Sequence, residues 1–185
     1  MKKKSEQPKN IPGRVASSGI SIRRFAVTYL LLMGVFFFII GFAPLQRIID
    51  VNGGYTRGVV TVTSWVLRIA DIPATCQGSI IRLPSIALDV KFGCNGLEAV
   101  MIYAVAVMAF PATGRRKLAG IAAGFVILQA VNILRIAGLA YAGVRFPGIF
   151  EYLHIYVAQG MMIAVALAVF FVYLGHAGPH DQAAA

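Results

Sequence analysis

Residues 25–43 read FAVTYLLLMGVFFFIIGFA, nineteen residues without a charge, directly behind the pair Arg23-Arg24. A helix needs about 20 predominantly apolar residues to cross roughly 30 Å of hydrocarbon, so this stretch is long enough for one crossing. A cleaved signal peptide has a shorter apolar region, about 7–15 residues. Here the small-residue sequence Gly41-Phe42-Ala43 also runs straight into Pro44, a poor setting for cleavage. The stretch therefore reads as a retained anchor. The whole chain agrees with it: 185 residues, 58% hydrophobic and only 13% charged, with a mean hydropathy of +0.76. Soluble domains carry about 25% charged residues, and disordered chains lack apolar surface to bury, so both classes are excluded. The length suits one domain.

Working outward, three more apolar stretches follow: Leu97–Thr113, Leu118–Tyr141 and Ile155–Leu174. Four crossings leave both termini on one side. The net charge of +10 is placed accordingly. Lys2, Lys3, Lys4, Lys9, Arg14, Arg23 and Arg24 precede the first crossing, and Arg115, Arg116 and Lys117 lie between the second and third. Basic clusters beside crossings mark the cytoplasmic side. The charge thus sets orientation, and no nucleic-acid partner is expected. The expected organisation is a basic cytoplasmic arm (1–24), a single membrane domain (25–175) and a short cytoplasmic tail (176–185).

Pro44 to Gly93 then lies outside. Val59, Val62, Val66 and Ile69 recur at helical spacing with Trp65 beside them, as in a helix lying along the interface. Ser85 to Phe92 alternates, with Ile86, Leu88, Val90 and Phe92 on one face, and pairs as a hairpin with Ser79–Leu83 through a turn at Pro84. The expected fold class is all-α integral membrane: about four transmembrane helices with an extracytoplasmic interfacial helix and a short β-hairpin.

Polar residues inside crossings are costly and mark function. Gln129, Asn132 and Arg135 share one helix face, with Arg135 about 26 Å beyond Leu118 along the axis, near the outer interface. His154 opens the last crossing at the same level. Cys94 immediately precedes the second, between Gly93 and Gly96, with Asn95 and Glu98 spaced as a capping box. A sulfur at a helix N-terminus forms thiolate more readily. Cys and His together suit nucleophilic catalysis with the imidazole moving the proton, and an Arg suits the oxyanion. Bland readings stand beside this one: an Arg snorkelling to head groups, and a structural His. A Cys76–Cys94 disulfide is a third. A small transporter or a scaffold subunit is the alternative for the whole chain, although transporters place polar groups at the midplane. No metal-ligand spacing or cofactor motif is present, so neither a metal nor a cofactor is expected.

The segments Gly93-Cys94-Asn95-Gly96-Leu97 and Asn132-Ile133-Leu134-Arg135-Ile136, followed by His154, resemble the exosortase/archaeosortase family of membrane transpeptidases. Gln77–Pro84 also looks like the family's lead-in to its cysteine, and the length is similar to the compact type called exosortase H. The resemblance implies a catalytic triad of Cys94, Arg135 and His154, with Asn132, Glu98 and Asn95 in support. It implies secreted protein substrates with a C-terminal tripartite tail: a short motif, a membrane helix and a basic cluster. It further implies a bacterial inner membrane, multi-pass, with lipid around the domain and the site facing the extracytoplasmic side.

Overall fold

The computed structural model describes residues 22–41, 51–91 and 93–177. Most of the basic arm, the segment 42–50, Phe92 and the tail from 178 lie outside the described residues, and with them the end of the first expected crossing and the last position of the alternating strand. In chain order the elements are α1 (Ile22–Gly41), α2 (Val51–Ile69), β1 (Thr75–Gln77), β2 (Ile80–Arg82) and β3 (Ala87–Asp89). They continue as α3 (Leu97–Ala109), α4 (Gly114–Arg145), α5 (Pro147–Tyr152), a π-helical turn (Leu153–Val157) and α6 (Ala158–His176). The all-α membrane fold is as expected. Among the described residues, three helical stretches are long and apolar enough to cross: α1, α4, and the continuous run Pro147–His176.

The expected second crossing, Leu97–Thr113, is shorter than its apolar run. α3 has 13 residues, about 20 Å, and stops at Ala109. The reason is Pro111: the residue before a proline is pushed out of the α region, and Phe110 is extended with ψ 136°. Lys117 Nζ then donates to the freed Met108 carbonyl at 2.8 Å, satisfying one of the open groups at this helix end. α4 is longer than expected, 32 residues or about 48 Å. The last helix starts earlier, with Pro147 at a first-turn position where its missing N–H costs nothing.

Two apolar cores meet near the start of α3. In the first, α3, α4 and α6 bury Val100, Tyr103, Val107, Leu128, Ala166 and Tyr173. In the second, α2 and the sheet pack on the Arg135-proximal part of α4 through Val60, Leu67, Ile81, Val90, Ile136 and Ala140. The hairpin is present as β2–β3, with Ile81 opposite Leu88, but β1 adds a third antiparallel strand with Cys76 opposite Ile81.

The buried face of α2 departs from the apolar spacing. Thr56, Val59, Val60, Thr63, Ser64 and Leu67 are buried, whereas Val62, Trp65 and Ile69 are exposed. The protein-facing stripe contains hydroxyls, among them Ser64, whose Oγ donates to the Thr61 carbonyl at 2.8 Å and so enters the interior satisfied. The exposed apolar residues lie on another face, as a helix lying along a membrane interface requires.

The α3–α4 contact rests on a missing side chain. A Cβ at Gly124 would stand 2.0 Å from Tyr103 Cε1, and the Tyr103 hydroxyl donates to the Gly120 carbonyl at 2.8 Å. Gly124→Ala must displace that ring, and overpacking of this kind costs about 1–3 kcal/mol. Gly138, with nothing within 4 Å of its Cβ position, is the control. In thermal melts in detergent, Gly124→Ala should lower the midpoint by several degrees while Gly138→Ala leaves it level or slightly higher. Equal effects would contradict this packing.

Candidate active site

The loop between β3 and α3 is wound tightly. The backbone N–H groups of Cys94 and Asn95 both donate to the Lys91 carbonyl, at 2.9 and 3.1 Å. Gly93 and Gly96 have φ of 89° and 80°, in the left-handed region that favours glycine. Gly96 is required twice over, since a Cβ there would lie 2.7 Å from the Asn132 amide and 2.9 Å from Gln129 Nε2.

The capping arrangement read from the sequence is displaced by one residue. Gly96 takes the position before the helix. Asn95 Oδ1 accepts the N–H of Leu97 at 3.1 Å, a bond two residues along the chain, where a capping box would reach Glu98. Glu98 instead turns its carboxylate toward Gly93, with Oε2 3.7 Å from that residue's Cβ position.

The structure brings Cys94, Arg135 and His154 together from three elements. Cys94 Sγ lies 3.7 Å from His154 Nε2. Arg135 Nη2 donates to the Cys94 carbonyl at 2.6 Å. His154 sits in the π-helical turn, a distortion frequent at functional sites, and its ring stacks on Phe150 at 5.9 Å between centroids. Arg135 is 6% exposed. One part of the guanidinium is thus committed to the loop, while its Nε is buried without a partner among the described residues. Cys94 and Cys76 are both free thiols. Cys76 is exposed on β1, with its Sγ 3.9 Å from Ser64 Oγ.

Asn132 is fully buried beneath Gly96, and neither polar atom of its amide has a protein partner among the described residues. An unsatisfied buried amide costs about 1–3 kcal/mol. A cavity of about 300 Å³ runs from Gly93, Gly96, Glu98 and Arg135 down between α1, α3 and α6 to Phe25 and Phe170. Gln159 adds a further polar group to its lining, which is otherwise apolar. Among the described residues no cluster of His, Cys, Asp and Glu fit for a metal ion occurs.

A cysteine before one helix, an arginine within the next and a histidine in the π-helical turn of the last thus come together. A family model described as transmembrane exosortase matches residues 15–174. The chain belongs to the transmembrane exosortase family. No curated protein and no solved structure matches it. In this exosortase the residues that sequence reasoning missed come from α2 and the last helix. Asn52, Tyr55 and Thr56 reach the Gly93–Gly96 loop or the polar face of α4, and Gln159 lines the cavity. The available signal was Asn52, Thr56, Val60 and Thr63, a polar continuation at helical spacing of the buried face.

Gln129 Nε2 donates to the Tyr55 hydroxyl, tying α2 to α4. Burial pushes the Tyr55 phenol up to about 12. A raised phenol pKa means the folded state holds a proton that the unfolded chain, titrating near 10, has lost. The stability from this site is therefore complete below about pH 10 and falls as pH rises toward 12. Melting midpoints taken across that window should decline less steeply for Tyr55→Phe than for the native protein. Parallel declines would contradict a buried neutral phenol.

Proposed function

We propose that this exosortase is a cysteine transpeptidase that cleaves the C-terminal sorting tails from secreted proteins and passes the shortened proteins to an acceptor. The observation that carries the reading is the pairing of the Cys94 thiol with the His154 imidazole at 3.7 Å, beside a buried guanidinium. Nucleophile–base contacts of this kind are often looser before substrate is bound than the usual hydrogen-bond distance. His154 Nε2 takes the proton from Sγ, and the thiolate attacks the backbone carbonyl at the tail's motif. A C–S bond forms, and the carbonyl oxygen carries negative charge until the C–N bond breaks. His154 returns its proton to the departing amine, and the thioester stays on Cys94. An amine or water then attacks the thioester and restores the thiol.

Arg135 has two tasks in this scheme. Nη2 holds the Cys94 carbonyl, and the donors it leaves free meet the oxyanion, where a fixed donor in a water-poor site is worth about 2.7–4 kcal/mol. Asn132 and Glu98 support the loop from below and from the side. The apolar cavity beside the loop suits a substrate whose chain continues into the membrane: about 300 Å³ holds a few large side chains of a neighbouring helix. The basic residues Arg115, Arg116 and Lys117 near the opposite end of α4 orient the site to the extracytoplasmic side of a bacterial inner membrane.

Co-expression with a tail-bearing protein, with mass analysis of the product's C-terminus, tests the reading. Native enzyme should shorten the substrate at the motif, and Cys94→Ala and Cys94→Ser should leave it intact. Arg135→Lys should cut the rate sharply, since the planar fork is lost while the charge remains. Cys76→Ala should process substrate at nearly the native rate. Cleavage that survives Cys94→Ala, or that is lost equally in Cys76→Ala, would overturn the proposal.

A further inference from the structure

The nucleophile loop is held from two sides, and only one of them is the Arg135 side. Asn95, the residue after the thiol, is fully buried. Its amide makes three of the four hydrogen bonds open to it. Nδ2 donates to Asn52 Oδ1 at 2.8 Å and to Thr56 Oγ1 at 2.9 Å. Oδ1 accepts from the Leu97 N–H. Asn52 and Thr56 are one turn apart on α2, so both acceptors face the same point.

We propose that Asn52 and Thr56 are positioning residues for the Cys94 thiol, fixing through the Asn95 amide the orientation in which the loop presents its sulfur to His154. The inference rests on the reading of Cys94 as the nucleophile and adds α2 to the machinery.

The physical argument concerns a single peptide unit. The Cys94–Asn95 peptide carries the Cys94 carbonyl on one side and the Asn95 N–H on the other, and it is planar. Arg135 fixes the carbonyl, and the Lys91 carbonyl accepts the N–H. Those two bonds fix the peptide plane, but Gly93 and Gly96 flank it with unusually free backbones, about which the loop can still rotate as a unit. The Asn95 side chain is the lever that resists rotation, and α2 holds its end. α2 is itself seated on the sheet and on Ile136 and Ala140 of α4, and it is tied to α4 a second time by Gln129 and Tyr55. The clamp therefore references the sulfur to the helix that carries Arg135. Without it the peptide can swing, and displacement of a reacting atom by about 1 Å costs on the order of 100-fold in rate.

Binding of substrate along the apolar cavity does not involve these residues, because the cavity lies between α1, α3 and α6. The expected signature is thus a loss in kcat without a change in KM. Thr56→Val removes the acceptor at similar volume, Thr56→Ser restores it, and Asn52→Ala removes the other acceptor. For Thr56→Val and Asn52→Ala, assayed well below their melting midpoints, we expect kcat to fall about tenfold or more and KM to stay within about twofold, with the midpoint lowered by a few degrees for the unpaired buried amide and Thr56→Ser near native throughout.

A measurement without substrate runs in parallel: site-resolved alkylation of Cys94 by iodoacetamide, with exposed Cys76 in the same molecule as the reference. Cys94 should react about threefold or more slowly relative to Cys76 in Thr56→Val and Asn52→Ala, and at the native ratio in Thr56→Ser, because His154 no longer meets the sulfur. Native kcat and native alkylation ratios in both variants would overturn the inference. So would losses that persist in Thr56→Ser. Should the native enzyme cleave no tail, the failure lies with the proposed function, and the alkylation ratio still decides the positioning role.

Discussion

A positive charge buried in a membrane helix must be given an acceptor, and Arg135 is given the carbonyl of the residue that carries the thiol. An arginine within a crossing is costly, up to about 2.5–3.5 kcal/mol at the bilayer centre on insertion scales. At 6% exposure it cannot rely on solvent. The 2.6 Å bond to the Cys94 carbonyl offsets part of that cost and in the same act pins the loop to α4. Charge-assisted bonds are shorter and stronger than neutral ones. The geometry of the loop follows: two left-handed glycines make the turn, Lys91 closes it, and Gly96 lies flush on Asn132 and Gln129 where no Cβ fits.

That bond also sits where two apolar cores meet, beside the Gln129–Tyr55 bond and the bonds from Asn95 to α2. The membrane core of α3, α4 and α6 ends near the loop, and the core built from α2, the sheet and α4 begins there. His154 reaches the junction from a π-helical turn between α5 and α6, while Asn95 reaches it from the loop to meet α2. Polar groups therefore collect where the two cores meet, and the apolar cavity leads away from them toward Phe25 and Phe170. A site so placed has polar partners at one end and an apolar channel at the other, which suits a substrate that is itself half in and half out of the membrane.

Much of this was legible in the chain. Uncharged stretches gave the long helices, and the glycine-flanked Cys94, Arg135 with Asn132, and His154 were expected at one level, where the structure gathers them. What the sequence hid has particular physical causes. Apolar periodicity pointed to Val62 and Ile69 on α2, whereas the buried face runs through Thr56, Thr63 and Ser64, whose polarity disguises it. Strand β1 is three exposed residues with no alternation to see. The early stop of α3 was readable from Pro111, but the hydrophobic run past Ala109 outweighed it. The capping box failed because Gly96, not Asn95, takes the cap position, which frees the Asn95 side chain to bind α2.

The account's central claim is that the Cys94 sulfur carries the substrate as a thioester, and the direct measurement is capture of that adduct. Native enzyme incubated with a tail-bearing substrate and quenched in acid should yield, by peptide mass spectrometry, a Cys94 peptide heavier by the upstream substrate fragment and labile to hydroxylamine. Cys76 should be unmodified in the same digest. Substrate cleaved with no adduct on Cys94 at any quench time, or an adduct on Cys76 in its place, would contradict the account.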